Sequence, residues 1–470
     1  MQLRLYSSMG REIDTLEPIV PGKIGLYSCG PTVYSYQHIG NLRTYLFVDI
    51  LKRTLEYIGY EVNHVMNVTD VGHLTDDADQ GEDKMIKSAR EKKMSVWDIS
   101  AHYAGIFFDD LQLLNIRPAT VICKATDHIG DMIELIAELE KKGFTYTAGG
   151  NVYFDIGRFP NYGKLALLDL SELKAGARTR VDKDKKNPHD FALWFTRSKF
   201  EHQTMLWDSP WGRGYPGWHI ECSAMSMKYL GDQFDIHCGG ADHISVHHTN
   251  EIAQSEAAIG RKWVNHWLHG EMLLMGREKM AKSRGKPLIL SELVERGYTP
   301  MDYRYYSLGA HYRAQLGFSL EALDGARKAR IRLDERVARL KSDAGQGALP
   351  AGDAYEGASG YIRAFERNAT ADLNMPRCLA DLWGLVRDEG VDAGPKLAAV
   401  YQMDKILGLK LEERADEQQE LEPDLQRLIA DRDAARESKD YMRADEIRNQ
   451  LMESGILLED TPSGVKWKRK

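Results

Sequence analysis

The sequence lacks the features that mark secreted and membrane proteins. It has five cysteines among 470 residues, an odd number at wide spacings that does not form the disulfide framework of a small secreted domain. No apolar run approaches the ~20 residues of a membrane-spanning helix, and the N-terminus has no signal-peptide core. We therefore expect a protein of the reduced cytoplasm.

A net positive charge is also missing. Lys and Arg number 62 against 70 Asp and Glu, so the formal net charge is −8. This charge excludes a protein that coats nucleic acid without regard to sequence, because such a protein needs a broad excess of cationic side chains. RNA binding through local basic patches stays open, and residues 279–286 and 466–470 are two such patches. The best candidate for a linker between domains is the Ala- and Gly-rich stretch 342–360.

The chain is long enough and apolar enough for several domains. Its 470 residues are 43% hydrophobic, which supports the cores of three or four domains. Near the N-terminus an apolar strand over 24–28 is followed by a helix over 43–59 and by an alternating strand over 61–68. This order predicts a parallel sheet that binds ligands at the carboxyl ends of its strands.

Two motifs in this setting indicate an adenylate-forming site. Residues 31–41 read Pro-Thr-Val-Tyr-Ser-Tyr-Gln-His-Ile-Gly-Asn, and a helix that opens near Gly40 leaves His38 and the helix N-terminus facing a polyphosphate. Residues 279–283 read Lys-Met-Ala-Lys-Ser and form a cationic loop that suits the same phosphates. Either motif alone is weak, because His-Ile-Gly occurs by chance and Lys/Ser-rich stretches are usually solvated loops. Their order on an α/β background makes the pair specific.

Candidate metal ligands lie in the same part of the chain. His247 and Glu251 are four residues apart, so one helical face presents both side chains. With Cys29 and Cys222 they provide ligand types that suit zinc, although the cysteines lack the tight Cys-x-x-Cys spacing of a structural finger. Two buried thiols and a capped helix explain the same residues equally well. Three other side chains compete as ligands: His248, His243 and Cys238.

The rest of the chain has a mixed segment followed by helices. From about residue 127 the pattern indicates an insertion of about 75 residues, which is short for a separate hydrolytic domain. Beyond the helix over 128–142 and the strand over 151–155, we expect a strand of the same sheet at 191–196, a strand at 234–237, a turn at 239–240 and a helix over 246–258. Helices are then expected over 288–297, 299–308, 320–340, 361–368, 375–388 and 394–407, before a last unit with two helices and a hairpin at 455–467.

These motifs resemble the class I aminoacyl-tRNA synthetases, whose signatures are written HIGH and KMSKS. Cys29, the run Gly-Trp-His-Ile-Glu-Cys at 217–222 and the run His-His-Thr-Asn-Glu at 247–251 resemble the cysteinyl-tRNA synthetases in particular, and the resemblance covers nearly the full length. It implies a Rossmann-like α/β catalytic domain with a connective-peptide insertion, an all-α helical bundle and a small anticodon-binding unit. The implied divisions are catalytic halves at 1–126 and 201–275, an insertion at 127–200, a KMSKS-loop and stem-contact region at 276–319, a bundle at 320–415 and an anticodon-binding unit at 421–470.

The resemblance implies a monomeric ligase that activates L-cysteine with Mg²⁺-bound ATP and transfers it from cysteinyl adenylate to tRNA(Cys). The implied catalytic residues are His38, Lys279 and Lys282, with Lys282 the more important lysine. The implied ATP contacts are Pro31, Thr32, His38, Gly40, Asn41, Lys279, Met280, Lys282 and Ser283. Asn41 replaces the second His of the signature, and Ala281 replaces a Ser, so any role of that hydroxyl is absent here.

The same resemblance selects one zinc ion per chain, with Cys29, Cys222, His247 and Glu251 as ligands. A plain pocket separates cysteine from serine by only about 10²-fold, whereas a thiol that meets Zn²⁺ loses its proton and an alcohol keeps it at neutral pH. Selection by zinc needs no proofreading domain, which agrees with the short insertion at 127–200, so we expect no editing activity. The implied contacts of substrate cysteine are Cys29, Thr69 and Trp218. Without the resemblance, Thr69 is a turn or cap residue and Trp218 an ordinary core residue.

In the last unit the resemblance implies that Arg436, Asp445 and Asp460 read the anticodon, since carboxylates accept from base amino groups and Arg donates in pairs or stacks. Without it, Arg436 and Asp445 are exposed salt-bridge partners. Trp467 suits either stacking on RNA or the core of a small domain.

Other functions use parts of the same pattern. A cysteine ligase that acts on an amino-sugar acceptor shares the zinc and HIGH-type motifs but ends after the helical bundle, and residues 421–470 speak against it. A small adenylyltransferase is far shorter and lacks the Lys-Met-Ala-Lys-Ser stretch. A non-catalytic, zinc-containing RNA-binding protein would not need His38, Gly40, Lys279 and Lys282, all of which are present.

Overall fold

The computed structural model of the chain describes residues 1–72, 84–167, 184–197, 204–275, 278–279, 288–345, 357–413, 423–461 and 464–469. These residues divide into two units. One comprises Met1–Arg327 with Phe365–Leu379, and the other comprises Lys328–Ala364 with Ala380–Lys470. Within the described residues, every helix is too short or too polar to cross a bilayer.

The strands are numbered in chain order: β1 (Arg4–Ser7), β2 (Glu12–Thr15), β3 (Lys23–Ser28), β4 (Glu61–Val68), β5 (Val121–Lys124), β6 (Thr145–Ala148), β7 (Asn151–Phe154), β8 (Phe191–Phe195), β9 (Tyr215–Pro216), β10 (Phe234–Gly240), β11 (Val264–Gly270), β12 (Leu273–Met275), β13 (Glu278–Lys279), β14 (Leu316–Phe318), β15 (Ile456–Thr461) and β16 (Gly464–Arg469).

The α-helices are numbered in the same way: α1 (Ile39–Tyr57), α2 (Lys84–Lys92), α3 (Val96–Leu113), α4 (Ile129–Lys141), α5 (Trp218–Leu230), α6 (His247–Ile259), α7 (Leu290–Glu295), α8 (Pro300–Leu308), α9 (Leu320–Ala344), α10 (Ser359–Thr370), α11 (Met375–Arg387), α12 (Ala393–Leu407), α13 (Pro423–Glu437) and α14 (Tyr441–Glu453).

A five-stranded parallel sheet forms the centre of the first unit. Its strand order is β11-β10-β3-β4-β5, and all four neighbouring pairs are parallel. The predicted parallel sheet is therefore confirmed, and the strand over 61–68 has the predicted bounds. The connection order reverses between β10 and β3, and open α/β sheets bind ligands at the carboxyl ends of strands at such a reversal.

Two local predictions for these elements differ from the structure. The helix predicted over 43–59 begins four residues earlier, at Ile39, close to the opening near Gly40 that the motif predicts, because the side chain of His38 caps it. The turn predicted at 239–240 is wrong, since these two glycines are the last residues of β10. A Cβ at Gly239 would lie 2.6 Å from the ring of His248, so the glycine is required by close packing and not by a turn.

The strand predicted at 191–196 does not continue the parallel sheet. Phe191–Phe195 pairs antiparallel with β7 and β9, in a separate four-stranded sheet of order β6-β7-β8-β9. The prediction was wrong because Phe-Ala-Leu-Trp-Phe is buried at every position, and a continuous apolar run of this kind does not distinguish a parallel strand from a covered antiparallel one.

The helices that carry the site pack on each other beside the sheet. Met132 and Ile136 of α4 are fully buried in the same hydrophobic core as Ile220 of α5 and Ala253 of α6. Cys29 and Cys222 belong to the same core. This shared packing fixes the positions of α5 and α6, which carry Cys222, His247 and Glu251.

The end of the second unit is a helical hairpin followed by a β-hairpin. α13 and α14 precede β15 and β16, which pair antiparallel, as predicted for 455–467. Ile447, Leu451, Ile456 and Leu458 form its core, and Trp467 packs against them. The core alternative for Trp467 is thus confirmed.

Candidate active site and metal centre

Four side chains from three separate parts of the fold meet in the first unit. Cys29 follows β3, Cys222 lies on α5, and His247 and Glu251 lie on successive turns of α6. One ligand atom from each residue lies within 4.8 Å of the ligand atoms of the other three, and all four side chains are buried. These four residues, here named the Cys–His–Glu cluster, are the predicted zinc ligands.

Glu251 in this cluster has a carboxylate oxygen without a hydrogen bond. Its Oε1 atom is buried and lacks a hydrogen-bond partner, although it lies 2.8 Å from Nε2 of His247. The two atoms are therefore close, but the Nε2–H bond of His247 is not directed at a lone pair of Oε1. Buried carboxylate oxygens are normally paired, and an oxygen and a nitrogen held close without a hydrogen bond are suited to share a cation.

The other nitrogen of His247 is oriented by a neighbour. Nδ1 of His219 lies 3.0 Å from Nδ1 of His247, and the ring of Trp218 packs on the ring of His247 with centroids 4.6 Å apart. Such a hydrogen bond sets the tautomer and direction of a ligating imidazole. Trp218, a predicted contact of substrate cysteine, thus touches a residue of the cluster and is only partly buried.

A second ligand set overlaps the first. Cys29 and Glu251 also lie within 4.8 Å of His237 and His248. Here ordinary hydrogen bonds occupy one nitrogen, Nε2, of each ring. Nε2 of His237 lies 2.8 Å from Oε2 of Glu251, and Nε2 of His248 lies 3.2 Å from Sγ of Cys29. The other nitrogen of His248, Nδ1, lies 2.8 Å from Nε2 of His269.

Electrostatics lower the pKa values of Glu251 and Cys222 but raise that of Cys29. Burial raises the pKa of Glu251, but His247 and His237 outweigh it and lower that pKa to about 2. Burial and a hydrogen bond with Cys222 raise the pKa of Cys29 well above its usual value. The hydrogen bond from Cys29 in turn lowers the pKa of Cys222. The cluster therefore combines one carboxylate with a thiol pair in which Cys222 gives up its proton first.

A chain of buried hydrogen bonds joins the two cysteine-bearing elements. The backbone N–H of Gly30 donates to Oδ1 of Asn67 at 2.8 Å, and Nδ2 of Asn67 donates to Oγ1 of Thr69 at 3.0 Å. The Thr69 hydroxyl then donates to Oε2 of Glu221 at 3.0 Å. Because Gly30 and Glu221 adjoin Cys29 and Cys222 in sequence, this chain helps to set the separation of the two thiols.

The sequence interpretation overlooked Asn67, His219, His237 and Glu221. A usable signal was present for His237, because it is a polar residue inside a predicted strand, and a buried polar residue is normally paired. For Glu221 the signal was its place in the run 217–222 that carries the resemblance. No comparable signal existed for Asn67, since its partners are Gly30, which lies beyond the end of β3, and Thr69, which follows β4.

The histidine of the His-Ile-Gly-Asn motif is built into the start of α1. Nδ1 of His38 accepts a hydrogen bond from the backbone N–H of Asn41 at 3.0 Å, and Oδ1 of Asn41 accepts one from the His38 N–H at 3.3 Å. This reciprocal pair is a capping box. Since Nδ1 is an acceptor, a neutral His38 ring carries its proton on Nε2.

Gly40 and Ile39 show how closely this helix end is packed. A Cβ at Gly40 would lie 3.0 Å from Nδ1 of His38, so glycine leaves room for the capping ring. The N–H of Ile39 donates to the carbonyl of Leu288 at 3.0 Å. A phosphate bound at this helix end would therefore share it with the capping contacts.

The other predicted ATP contacts are only partly described. Pro31 and Thr32 run beside Thr69, whose N–H donates to the Pro31 carbonyl at 3.0 Å. The backbone of Lys279 lies in β13, paired with Leu274. The remaining predicted contacts lie outside the described residues: the side chain of Lys279 and residues Met280, Lys282 and Ser283.

Two of the three predicted anticodon residues lie on exposed surfaces. Arg436 is in the last turn of α13 and Asp445 is in α14, both exposed. The backbone of Asp460 is in β15, and its side chain lies outside the described residues. An exposed position beside a small core suits contact with a large partner but does not by itself assign one.

Two family models match the sequence. The model of the tRNA synthetases class I (C) catalytic domain matches residues 15–328, and that of the cysteinyl-tRNA ligase anticodon binding domain matches residues 418–467. The two matches lie in the order expected for a catalytic part followed by an RNA-binding unit.

Similar proteins match along their whole length. The cysteine--tRNA ligase of Treponema denticola is 50% identical, with 100% of both chains covered, and that of Treponema pallidum is 44% identical, also with 100% of both covered. Cysteine--tRNA ligase 1 of Burkholderia lata is 46% identical over 99% of this chain and 96% of its own.

Among solved structures, methionyl-tRNA synthetase of Mycobacterium tuberculosis bound by methionyl-adenylate is similar with a TM-score of 0.54. It covers 84% of this chain and 92% of its own at 14% identity. A likeness at this identity shows a shared fold.

Proposed function

The chain belongs to the cysteine--tRNA ligases, a family of class I aminoacyl-tRNA synthetases, and we propose that its Cys–His–Glu cluster holds one zinc ion through which L-cysteine is selected. As a member of this family the chain is an ATP-dependent enzyme that joins cysteine to tRNA. The single observation that carries the zinc proposal is the convergence of two thiols, an imidazole and a buried carboxylate oxygen without a hydrogen bond at the reversal point of the parallel sheet.

The ligand set of two thiolates, one imidazole and one carboxylate suits zinc. The overlapping set with His237 and His248 is less suited, because a proton on Nε2 of His237 is used in the hydrogen bond to Glu251. We assign His237 and His248 to orienting Glu251 and Cys29, which is the usual work of groups around metal ligands. When bound, zinc would lower the pKa of a substrate thiol and leave that of an alcohol high enough to stay protonated, which favours cysteine over serine.

Thr69 is proposed to bind the substrate amino group as a hydrogen-bond acceptor. A hydroxyl has one donor and two acceptor positions. The donor is used by Glu221 and one acceptor position by Asn67, so one acceptor position is left. It suits the ammonium group of cysteine, while the partly exposed Trp218 would close the same pocket beside His247.

At the ATP end we propose that Nε2–H of His38 donates to the phosphates, since Nδ1 is used by the cap. The cysteine carboxylate would attack the α-phosphorus of Mg²⁺-bound ATP, and pyrophosphate would leave. Lys279 and Lys282 would neutralise the charge that develops on the β- and γ-phosphates. Pro31, Thr32 and the backbone of Gly40 would line the nucleotide, with Asn41 holding the His38 ring in place.

For the RNA, the proposal assigns anticodon reading of tRNA(Cys) to Arg436, Asp445 and Asp460. The match of residues 418–467 to an anticodon binding domain supports it, as does the exposure of the first two side chains. We propose a monomer, with the divisions predicted from the sequence. Neither an amino-sugar ligase nor a non-catalytic RNA-binding protein receives support from the similar proteins.

The test compares cysteine and serine in ATP–pyrophosphate exchange, with metal content measured per chain. We expect about one zinc per chain, and we expect removal by a chelator to abolish the preference for cysteine while circular dichroism shows a folded protein. Restored preference after zinc is added back, but not after Mg²⁺, completes the expected result. Folded, zinc-free enzyme that still prefers cysteine would contradict the proposal.

A further inference from the structure

Arg43 of α1 has a buried guanidinium that donates four hydrogen bonds, each to a backbone carbonyl. Its side chain is 4% exposed. Nη1 donates to the carbonyls of Glu271 at 2.6 Å and Met272 at 3.1 Å. Nη2 donates to the carbonyls of His311 at 3.1 Å and Ala314 at 2.7 Å.

The four carbonyls belong to two segments that enter one small sheet. Glu271 and Met272 lie between β11 and β12, and His311 and Ala314 lie just before β14. β12 is the middle strand of the three-stranded sheet β13-β12-β14. Since β13 contains Lys279 and pairs with β12, the guanidinium holds the strands from which the lysine motif starts.

The opposite flank of the lysine motif is joined to the same helix. Ile39, one turn before Arg43, donates its N–H to the carbonyl of Leu288 at 3.0 Å, and its own carbonyl accepts from the Tyr303 hydroxyl at 2.6 Å. His38 forms a β-bridge with Ile289. Residues 271–272 lie before the motif and residue 288 lies after it, so α1 is bonded to the chain on both sides of the motif.

We propose that Arg43 is a positioning residue, which sets the position of the Lys279 strand relative to His38 and thereby supports adenylate formation. This inference rests on the function proposed above. A planar guanidinium can reach four acceptors in two directions at once, whereas the ammonium of lysine is a point charge with three donors on a flexible stem. The site therefore requires arginine and not only a positive charge.

The first experiment compares Arg43→Lys with Arg53→Lys. Arg53 is a matched control because it is also a buried arginine of α1, but it bonds Asp49 and the carbonyl of Asn115, away from β12. We expect Arg43→Lys to lower kcat of cysteine-dependent pyrophosphate exchange at least about tenfold, with KM for cysteine and metal content within twofold of the unmodified enzyme. Arg53→Lys should change kcat less than twofold. Equal losses in both variants would overturn the inference in favour of a purely structural role.

A double-mutant cycle with Lys279→Ala tests the route of the effect. If Arg43 acts through the position of the Lys279 strand, Arg43→Lys should cost less than about threefold in the Lys279→Ala background, because coupled residues are not additive. If the loss of kcat in the double variant equals the product of the losses in the two single variants, Arg43 acts independently of the Lys279 strand.

Tyr303→Phe is a second variant for the case that Arg43→Lys does not fold. It removes only the hydroxyl bonded to Ile39, and we expect a loss in kcat of at least about threefold. An unchanged kcat would overturn the inference.

The outcomes separate this inference from its premise. An unmodified enzyme without cysteine-dependent exchange would overturn the proposed function itself. An active unmodified enzyme with an equally active Arg43→Lys variant would overturn only the role of Arg43.

Discussion

Cys222 and Glu251 are 1% and 0% exposed, whereas Arg436 and Asp445 lie on the exposed faces of α13 and α14. The buried Cys–His–Glu cluster is supported by further hydrogen-bonded groups, such as His219 and His237. The C-terminal unit has a small apolar core and a charged surface. A small substrate that differs from serine by one atom needs a preorganised site, and a large RNA needs accessible surface.

The contrast also separates the expected effects of mutation. In the buried cluster, binding and stability depend on the same contacts, so a single substitution disturbs both. On the exposed faces of α13 and α14, a substitution removes contacts with a partner and leaves the free energy of unfolding nearly unchanged. The predictions below test this difference from the largest expected effect to the smallest.

The largest effect is expected for Glu251→Gln. It exchanges an ionised ligand for a neutral amide, so zinc content should fall and cysteine-dependent exchange should drop at least about 100-fold, roughly 2.7 kcal/mol of barrier. Cys123→Ser is the control, because Cys123 is also a buried thiol of the sheet and its Sγ bonds the Met66 carbonyl, which a serine hydroxyl can do as well. Zinc retained in full by Glu251→Gln would remove this carboxylate from the ligand set.

The next effect concerns the ATP end, where stability and activity can be separated. His38→Ala should lower exchange at least about tenfold, roughly 1.4 kcal/mol, and should cost about 1 kcal/mol of stability through the lost cap. His38→Asn keeps a good capping residue but removes the imidazole, so exchange should fall with little change in the unfolding midpoint. Cysteine binding, measured by calorimetry, should persist in both variants, and full turnover in His38→Asn would exclude the phosphate role.

A smaller effect is expected at Thr69. Thr69→Val has nearly the same shape but no hydroxyl, so KM for cysteine should rise about tenfold, the equivalent of roughly 1.4 kcal/mol. Thr69→Ser keeps the hydroxyl between Asn67 and Glu221 and should stay within threefold of the unmodified enzyme. If the two variants have the same KM, the hydroxyl does not bind the substrate amino group.

The smallest effect on the protein itself is expected at Arg436. Arg436→Ala should lower aminoacylation of tRNA(Cys) about tenfold while pyrophosphate exchange stays within twofold and the free energy of unfolding changes by less than about 0.5 kcal/mol. Arg443→Ala is a matched control, since Arg443 is an exposed arginine of α14 that pairs with Glu446 and has no proposed role. A parallel loss of exchange in Arg436→Ala would contradict the division between the two regions.

Much of the fold was predictable because it depends on local patterns. The strand over 61–68 and the helix that carries His247 and Glu251 follow from apolar alternation and from helical spacing, which are set by backbone geometry. The antiparallel setting of Phe191–Phe195 was not predictable, because its buried sequence is equally compatible with both kinds of sheet. Pairing partners distant in sequence are selected by packing of the whole unit.

The sequence by itself determined the local chemistry of this protein: the capped helix start at His38, the ligand pair on α6, and the motifs by which the family can be recognised. Only the tertiary structure decided which distant groups meet. Cys29 and Cys222 approach because β3 and α5 pack side by side. The Thr69 hydroxyl donates its one hydrogen bond to Glu221, and Arg43 reaches carbonyls more than 200 residues away in the chain. Side-chain direction is a local property, but the partner of a buried polar group is set by the elements that enclose it.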